Sequence, residues 1–155
     1  MTLFAALPTA ESPPPVPVHW QVLIVDDEAA VVEELAHGLR LRGYRILTAT
    51  SGAEAWNLLT TRTDIGVAVC DIRMPGMDGH ALTQAIAMRN CDGHRTQVIM
   101  TSGHGTSHDE AIATEAGAVA FLNKPFRASE LRTALGIALQ RAGGDDQTSG
   151  NAVNA

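Results

Sequence analysis

The sequence predicts a doubly wound α/β domain built on a parallel sheet, and three observations predict it. Short apolar runs alternate along the chain with longer segments of helical periodicity. The run Val22-Leu23-Ile24-Val25 lacks polar alternation, so it suits a strand covered on both faces. Each run is followed by polar or charged residues, and doubly wound sheets gather their chemistry at the carboxyl edge of their strands.

Val22-Leu23-Ile24-Val25 is the first strand. Val31, Leu35 and Leu39 then recur at helical spacing, and Gly43 supplies a C-cap. Tyr44 to Ala49 reads as the second strand. Ser51 and Glu54 form a capping-box pattern that opens a helix through Leu58 and Leu59. Gly66-Val67-Ala68-Val69-Cys70 is the third strand, and Leu82, Ala85, Ile86 and Arg89 give a helix with one apolar side. Val98-Ile99-Met100 is the fourth strand; Ser107 with Glu110 caps the next helix, which stops at Gly117. Ala118 to Leu122 is the fifth strand, and Leu131, Leu135 and Leu139 mark the last amphipathic helix.

Residues 20–141 form this single unit, without internal repeats. Residues 1–19 read as a disordered tail, because Pro8, Pro13, Pro14, Pro15 and Pro17 permit neither helix nor central strand. Residues 142–155 are small and polar and are expected to be disordered too. Aromatics are only 4% of the chain, so the core must be built from Val, Ile, Leu, Met and Ala. A net charge of -6 without a basic cluster argues against nucleic acid as a direct partner. Cys70 and Cys91 form no CxxC pair and no metal spacing, and read as reduced thiols of a cytoplasmic protein. No apolar run reaches the length of a membrane span, and the N-terminus lacks the positive region of a signal peptide.

The chemistry lies just after the strands. Asp26, Asp27 and Glu28 follow the first, Asp71 the third, Thr101 and Ser102 the fourth, and Lys124-Pro125 the fifth. In a parallel sheet all of these reach one edge. Two carboxylates about 4 Å apart repel by roughly 4 kcal/mol at the effective dielectric near a protein surface. Either one takes a proton or a cation binds. An all-oxygen site with open positions suits Mg²⁺, which shares its ligands with phosphate. Metal and Lys124 together would neutralise an incoming phosphoryl group. Asp71 would then be the nucleophile, forming an aspartyl phosphate, and Ser102 could hydrogen-bond a phosphoryl oxygen.

The pieces VLIVDDE (22–28), CDIRMPGMDG (70–79), SGHG (102–105) and FLNKPF (121–126) resemble the response-regulator receiver family across roughly residues 20 to 141. Singly these motifs are weak; in this order, each at the end of a predicted strand, they are highly specific. The resemblance implies a (βα)5 flavodoxin-like domain with five parallel strands in the order 2-1-3-4-5. It makes Asp71 the phosphoacceptor and Asp27 a direct metal ligand, with Asp26 binding directly or through water. The backbone carbonyl of Arg73 would be a further ligand. Lys124 would pair with the phosphoryl group, ahead of a cis bond to Pro125. The hydroxyl after the fourth strand would move towards the phosphate, and Phe121 would change rotamer in response. That change remodels the face of the fourth helix, fifth strand and fifth helix, where relatives bind partners. Ser102 is preferred over Thr101 as the switch hydroxyl, because Gly-His-Gly follows it and its distance to Lys124 fits. Arg73 and His104 hold positions that influence the lifetime of the aspartyl phosphate in relatives.

Plainer roles stand beside these. Asp26 and Asp27 can cap the first helix, and Asp78 reads as an ordinary turn residue before Gly79. His104 and His108 stand four apart, but no further ligand joins them and both precede or open a helix. Trp20 and Trp56 suit packing against the domain. Many aspartyl phosphatases place an acid two residues after the nucleophile, to protonate the leaving group, where this chain has Arg73, which cannot donate that proton. A receiver-like binding module that never carries phosphate would typically lack an acid or the lysine, and this chain keeps them all. The expected protein is a stand-alone receiver and not a multiple-turnover enzyme. It would take phosphate from a histidine kinase or a histidine phosphotransferase. It would then either relay that phosphate to a histidine phosphotransferase or bind a downstream protein, as a monomer or a phosphorylation-dependent dimer.

Overall fold

Every strand predicted from an apolar run is present, and all five lie parallel. The structure, a computed structural model, describes residues 2–3, 19–103 and 106–153. A short strand β1 (Thr2–Leu3) comes first. The alternating unit follows as β2 (Gln21–Val25), α1 (Ala29–Arg40), β3 (Arg45–Ala49), α2 (Gly52–Thr61) and β4 (Ile65–Asp71). It continues through α3 (Gly79–Asn90), β5 (Gln97–Ser102), α4 (Ser107–Ala116), β6 (Ala120–Asn123) and α5 (Ala128–Val153). The sheet order is β1-β6-β5-β4-β2-β3. Counted among the parallel strands alone, this is the expected 2-1-3-4-5.

The continuous apolar runs are explained by helices on both faces. Val22 and Ile24 point to one side, where Val32, Ala36 and Leu39 of α1 meet Leu131, Leu135 and Leu139 of α5. Leu23 and Val25 point to the other, against Ala55 and Leu59 of α2, Leu82 and Ile86 of α3, and Ala113 of α4. Trp20 packs partly buried on the first layer and Trp56 on the second, as expected of packing residues.

The helix starts follow local chemistry. The Ser51 hydroxyl accepts from the Glu54 N–H at 3.1 Å, and Glu54 reaches back to the Thr50 N–H at 3.1 Å. Asp78 caps α3 by accepting from the Ala81 N–H at 2.8 Å. The α4 cap is one residue earlier than the sequence suggests. Thr106, rather than Ser107, accepts from the Asp109 N–H at 3.2 Å, because its hydroxyl precedes the first helical residue. At α1 the N-cap is Glu28, which makes no side-chain cap bond.

Two described elements lie outside the unit read from the sequence. Thr2–Leu3 pairs antiparallel with β6, Thr2 opposite Phe121, so the sheet has a sixth, short strand. β6 would otherwise end the sheet with unpaired backbone groups, which an extended segment satisfies. At the other end α5 continues through Val153 instead of stopping near Gly143. Extending a formed helix adds one hydrogen bond per residue fixed, so even weak helix formers can follow a nucleated one. Most of the Pro-rich segment, including Pro8 and Pro13 to Pro17, lies outside the described residues.

Cys70 is buried in β4, whereas Cys91 is exposed after α3. Burial pushes the Cys70 thiol up to about 12, against a smaller opposing hydrogen bond with Thr83. The unfolded thiol, near 9.0, releases its proton first. The buried thiol's contribution to stability is therefore intact below about pH 9 and is lost as pH rises towards about 12. Native protein alkylated near pH 8 should gain one adduct by intact mass, on Cys91, and a second only after unfolding. In urea titrations across the alkaline window, Cys70→Ala should lose less stability with pH than the wild type.

Candidate functional site

The parallel order brings Asp26 and Asp27 after β2, Asp71 at the end of β4, and Lys124 after β6 to one edge. Side-chain oxygens of Asp26, Asp27 and Asp71 all lie within 4.8 Å of one another. Asp26 is 3% exposed, yet both its oxygens are engaged. Oδ1 accepts from the Glu28 N–H at 3.0 Å, and Oδ2 accepts from Lys124 Nζ at 2.6 Å. The bond to the Glu28 N–H is a local turn contact to the N-cap residue, so Asp26 does not itself cap α1. Lys124 Nζ also donates to Asp71 Oδ2 at 2.9 Å, while Asp71 Oδ1 accepts from the Arg73 N–H at 3.1 Å.

Burial by itself would lower the Lys124 pKa, but hydrogen bonds and charge from Asp26 and Asp71 outweigh it and hold the ammonium above its ordinary value. Lys124 is therefore a cation throughout the neutral range. One ammonium against three carboxylates leaves the crevice with excess negative charge. Asp27, the exposed member, stands on the solvent side. These all-oxygen donors, partly uncompensated and open to water, fit a hard divalent cation such as Mg²⁺.

The two hydroxyls at the end of β5 have different surroundings. Thr101 lies opposite Asp71 in the sheet register and is directed back at the Cys70 carbonyl, 3.5 Å away. Ser102 is fully buried and donates to Asp109 Oδ2 at 3.1 Å. Asp109, in the first turn of α4, is 2% exposed and also accepts from Arg73 Nη2 at 3.2 Å. Asp109 is the residue that sequence reasoning missed. In the sequence it is one more acid in a helix's first turn, with nothing to mark it as buried. Phe121 is 1% exposed within the layer that also holds Met100 and Ala113.

Backbone contacts hold these side chains in place. The Ile72 N–H donates to the Thr101 carbonyl at 2.8 Å, and the Lys124 N–H to the Ser102 carbonyl at 2.8 Å. The Lys124-Pro125 bond is cis. Gly79 opens α3 so close beneath Asp71 that a Cβ would collide with the Asp71 carbonyl oxygen and come within 2.9 Å of Ile72 Cα. Among the described residues, Asp26, Asp27 and Asp71 are the one group of three side chains placed so that they could hold a metal ion, and His108 is not part of it. His104 lies outside the described residues.

The fold places the chain among doubly wound domains that work at the carboxyl edge of a parallel sheet. Comparison with known proteins narrows this class: the chain belongs to the response regulator receiver domain family, which matches residues 22–136. It is 36% identical over 134 residues to the transcriptional regulatory protein PrrA of Mycobacterium leprae, a match covering 86% of this chain and 55% of that protein. It is 31% identical to the response regulator GtcR of Aneurinibacillus migulanus, covering 78% of this chain and 48% of that protein. The chain thus spans about half the length of these curated relatives. Among solved structures, a receiver domain protein from Clostridium thermocellum aligns with a TM-score of 0.73 and 28% identity, covering 79% of this chain and 95% of that one. A CheY-like receiver domain protein from Methanospirillum hungatei aligns with a TM-score of 0.72 and 25% identity, covering 81% and 98%. Among the described residues no helix is long and apolar enough to cross a membrane.

Two substitutions probe the construction of the site. Lys124→Met removes the cation that compensates buried Asp26, and should destabilise the metal-free protein by about 3 kcal/mol. Added Mg²⁺ should raise the Tm of that variant more than it raises that of the wild type. Gly79→Ala should cost about 1–3 kcal/mol, because the rigid backbone beside Asp71 must give way. Urea denaturation measures both.

Proposed function

We propose that the chain accepts a phosphoryl group on Asp71 from a histidine kinase or histidine phosphotransferase, with Mg²⁺ as cofactor. The observation that carries this reading is Lys124 bridging Asp26 and Asp71 inside a group of three carboxylates. Asp26, Asp27, Asp71 and the Arg73 backbone carbonyl would hold the metal, which when bound supplies positive charge opposite the phosphoryl oxygens.

The protein's own groups do the rest. A carboxylate oxygen of Asp71 attacks phosphorus, a P–O bond forms, and the P–N bond to the donor imidazole breaks. Lys124 exchanges its contact with Asp71 for one with a phosphoryl oxygen, so no new charge has to be brought in. Ser102, preferred over Thr101, donates its hydroxyl to a second phosphoryl oxygen. Phe121 then repacks, changing the face formed by α4, β6 and α5, through which the signal passes to a protein partner. These acceptor residues all lie between positions 26 and 124, so the receiver unit should take phosphate by itself. An acidic chain without a basic cluster favours a protein over nucleic acid as direct partner, and a cytoplasmic site of action suits this chemistry.

Acetyl phosphate and Mg²⁺ should yield a single phosphoryl adduct by intact mass, lost in base. Asp71→Asn or a chelator should abolish it. An adduct that persists in Asp71→Asn would move the acceptor elsewhere. Absence of both an adduct and beryllofluoride binding in the wild type would overturn the proposal.

A further inference from the structure

Asp109 is a nearly fully buried carboxylate in the first turn of a helix, a place where acids ordinarily stay in water. Helix N-termini favour negative charge, but exposed acids obtain that benefit without desolvation. What compensates its burial is a pair of partners that both adjoin the phosphoacceptor. Ser102 Oγ donates to Oδ2 at 3.1 Å, and Arg73 Nη2 donates to Oδ1 at 3.2 Å. Arg73 also touches Asp71 through its own N–H, and Ser102 ends the strand paired with Asp71.

We propose that Asp109 is a positioning residue that holds the Ser102 hydroxyl away from the phosphoacceptor and ties that restraint to Arg73. This rests on the reading of Asp71 as acceptor and Ser102 as its partner hydroxyl. A serine hydroxyl has one proton to donate. While Asp109 accepts it, a phosphoryl oxygen on Asp71 cannot. Modification of Asp71 must break the Ser102–Asp109 bond. Asp109 then keeps only the guanidinium of Arg73, whose side chain is 60% exposed and free to adjust its position. The Asp109 N–H is bound to the Thr106 hydroxyl, so a shift of the carboxylate is felt at the start of α4. The restraint therefore opposes phosphate uptake and couples it to α4.

The test is the affinity of the full chain for beryllofluoride with Mg²⁺, measured calorimetrically. Asp109→Ala should bind about tenfold more tightly, as expected for removal of one hydrogen bond to a charged group. Asp109→Asn keeps the shape and a weaker neutral acceptor, so it should show a smaller gain, and it carries the test if the alanine variant does not fold. On a Ser102→Ala background the gain should vanish, which a merely structural role for Asp109 would not produce. In metal-free protein, NMR couplings should report one Ser102 χ1 rotamer in the wild type and averaging in Asp109→Ala. Unchanged or weaker binding in folded Asp109 variants, an equal gain without Ser102, or a fixed rotamer in Asp109→Ala would overturn the proposal while leaving the phosphoacceptor reading intact. A wild type that binds no beryllofluoride would instead sink that reading, and the restraint with it.

Discussion

The bridge from Lys124 to Asp26 and Asp71 is the constraint on which the rest of the molecule depends. It ties together residues at the ends of three different strands, β2, β4 and β6, at distances of 2.6 and 2.9 Å. Without the ammonium, Asp26 would be a buried carboxylate with only one backbone donor to compensate it. Yet a single cation does not neutralise three acids. The same arrangement that lets the crevice fold leaves it short of positive charge, and this shortfall suits it to a hard cation and a phosphoryl group. Under the proposed function, stability and activity draw on the same side chains with opposite preferences.

The backbone around the bridge is built to keep its register. Sheet pairing continues past the strands through the Ile72–Thr101 and Lys124–Ser102 hydrogen bonds, so Asp71, Thr101, Ser102 and Lys124 cannot slide independently. Gly79 lets α3 press against the Asp71 carbonyl from below. On the far side, Thr2–Leu3 covers the outer edge of β6 at Phe121 and Ala120. The strand that carries Phe121 is therefore paired on both sides, with β5 inside and β1 outside.

Much of this was legible in order along the chain. The apolar runs named the parallel strands because both faces of the sheet are covered, and the acids and the lysine stood out because each follows such a run. The cap at Ser51 was readable from local spacing, since a capping bond needs only neighbours, whereas Asp78, read as a turn residue, caps α3 as well. The start of α4 was misplaced by one residue because Thr106 and Ser107 are both good caps and only backbone direction separates them. The short strand β1 and the long extension of α5 were missed for a related reason. One depends on a free sheet edge more than a hundred residues away in sequence, the other on a helix already nucleated by its packed face.

The sequence by itself determined the architecture and the chemical types at the sheet edge, because periodicity and residue type are local properties. It determined that carboxylates, hydroxyls and one lysine would converge, since parallel strands end on one side. Only the tertiary structure decided which of them touch. That Lys124 binds Asp26 more closely than Asp71, and that Ser102 faces Asp109 while Thr101 faces the Cys70 carbonyl, follows from side-chain direction across packed elements. Asp109 shows the difference most clearly. Its burial comes from an arginine 36 residues away in the chain and a serine on the neighbouring strand, partners that no local pattern connects.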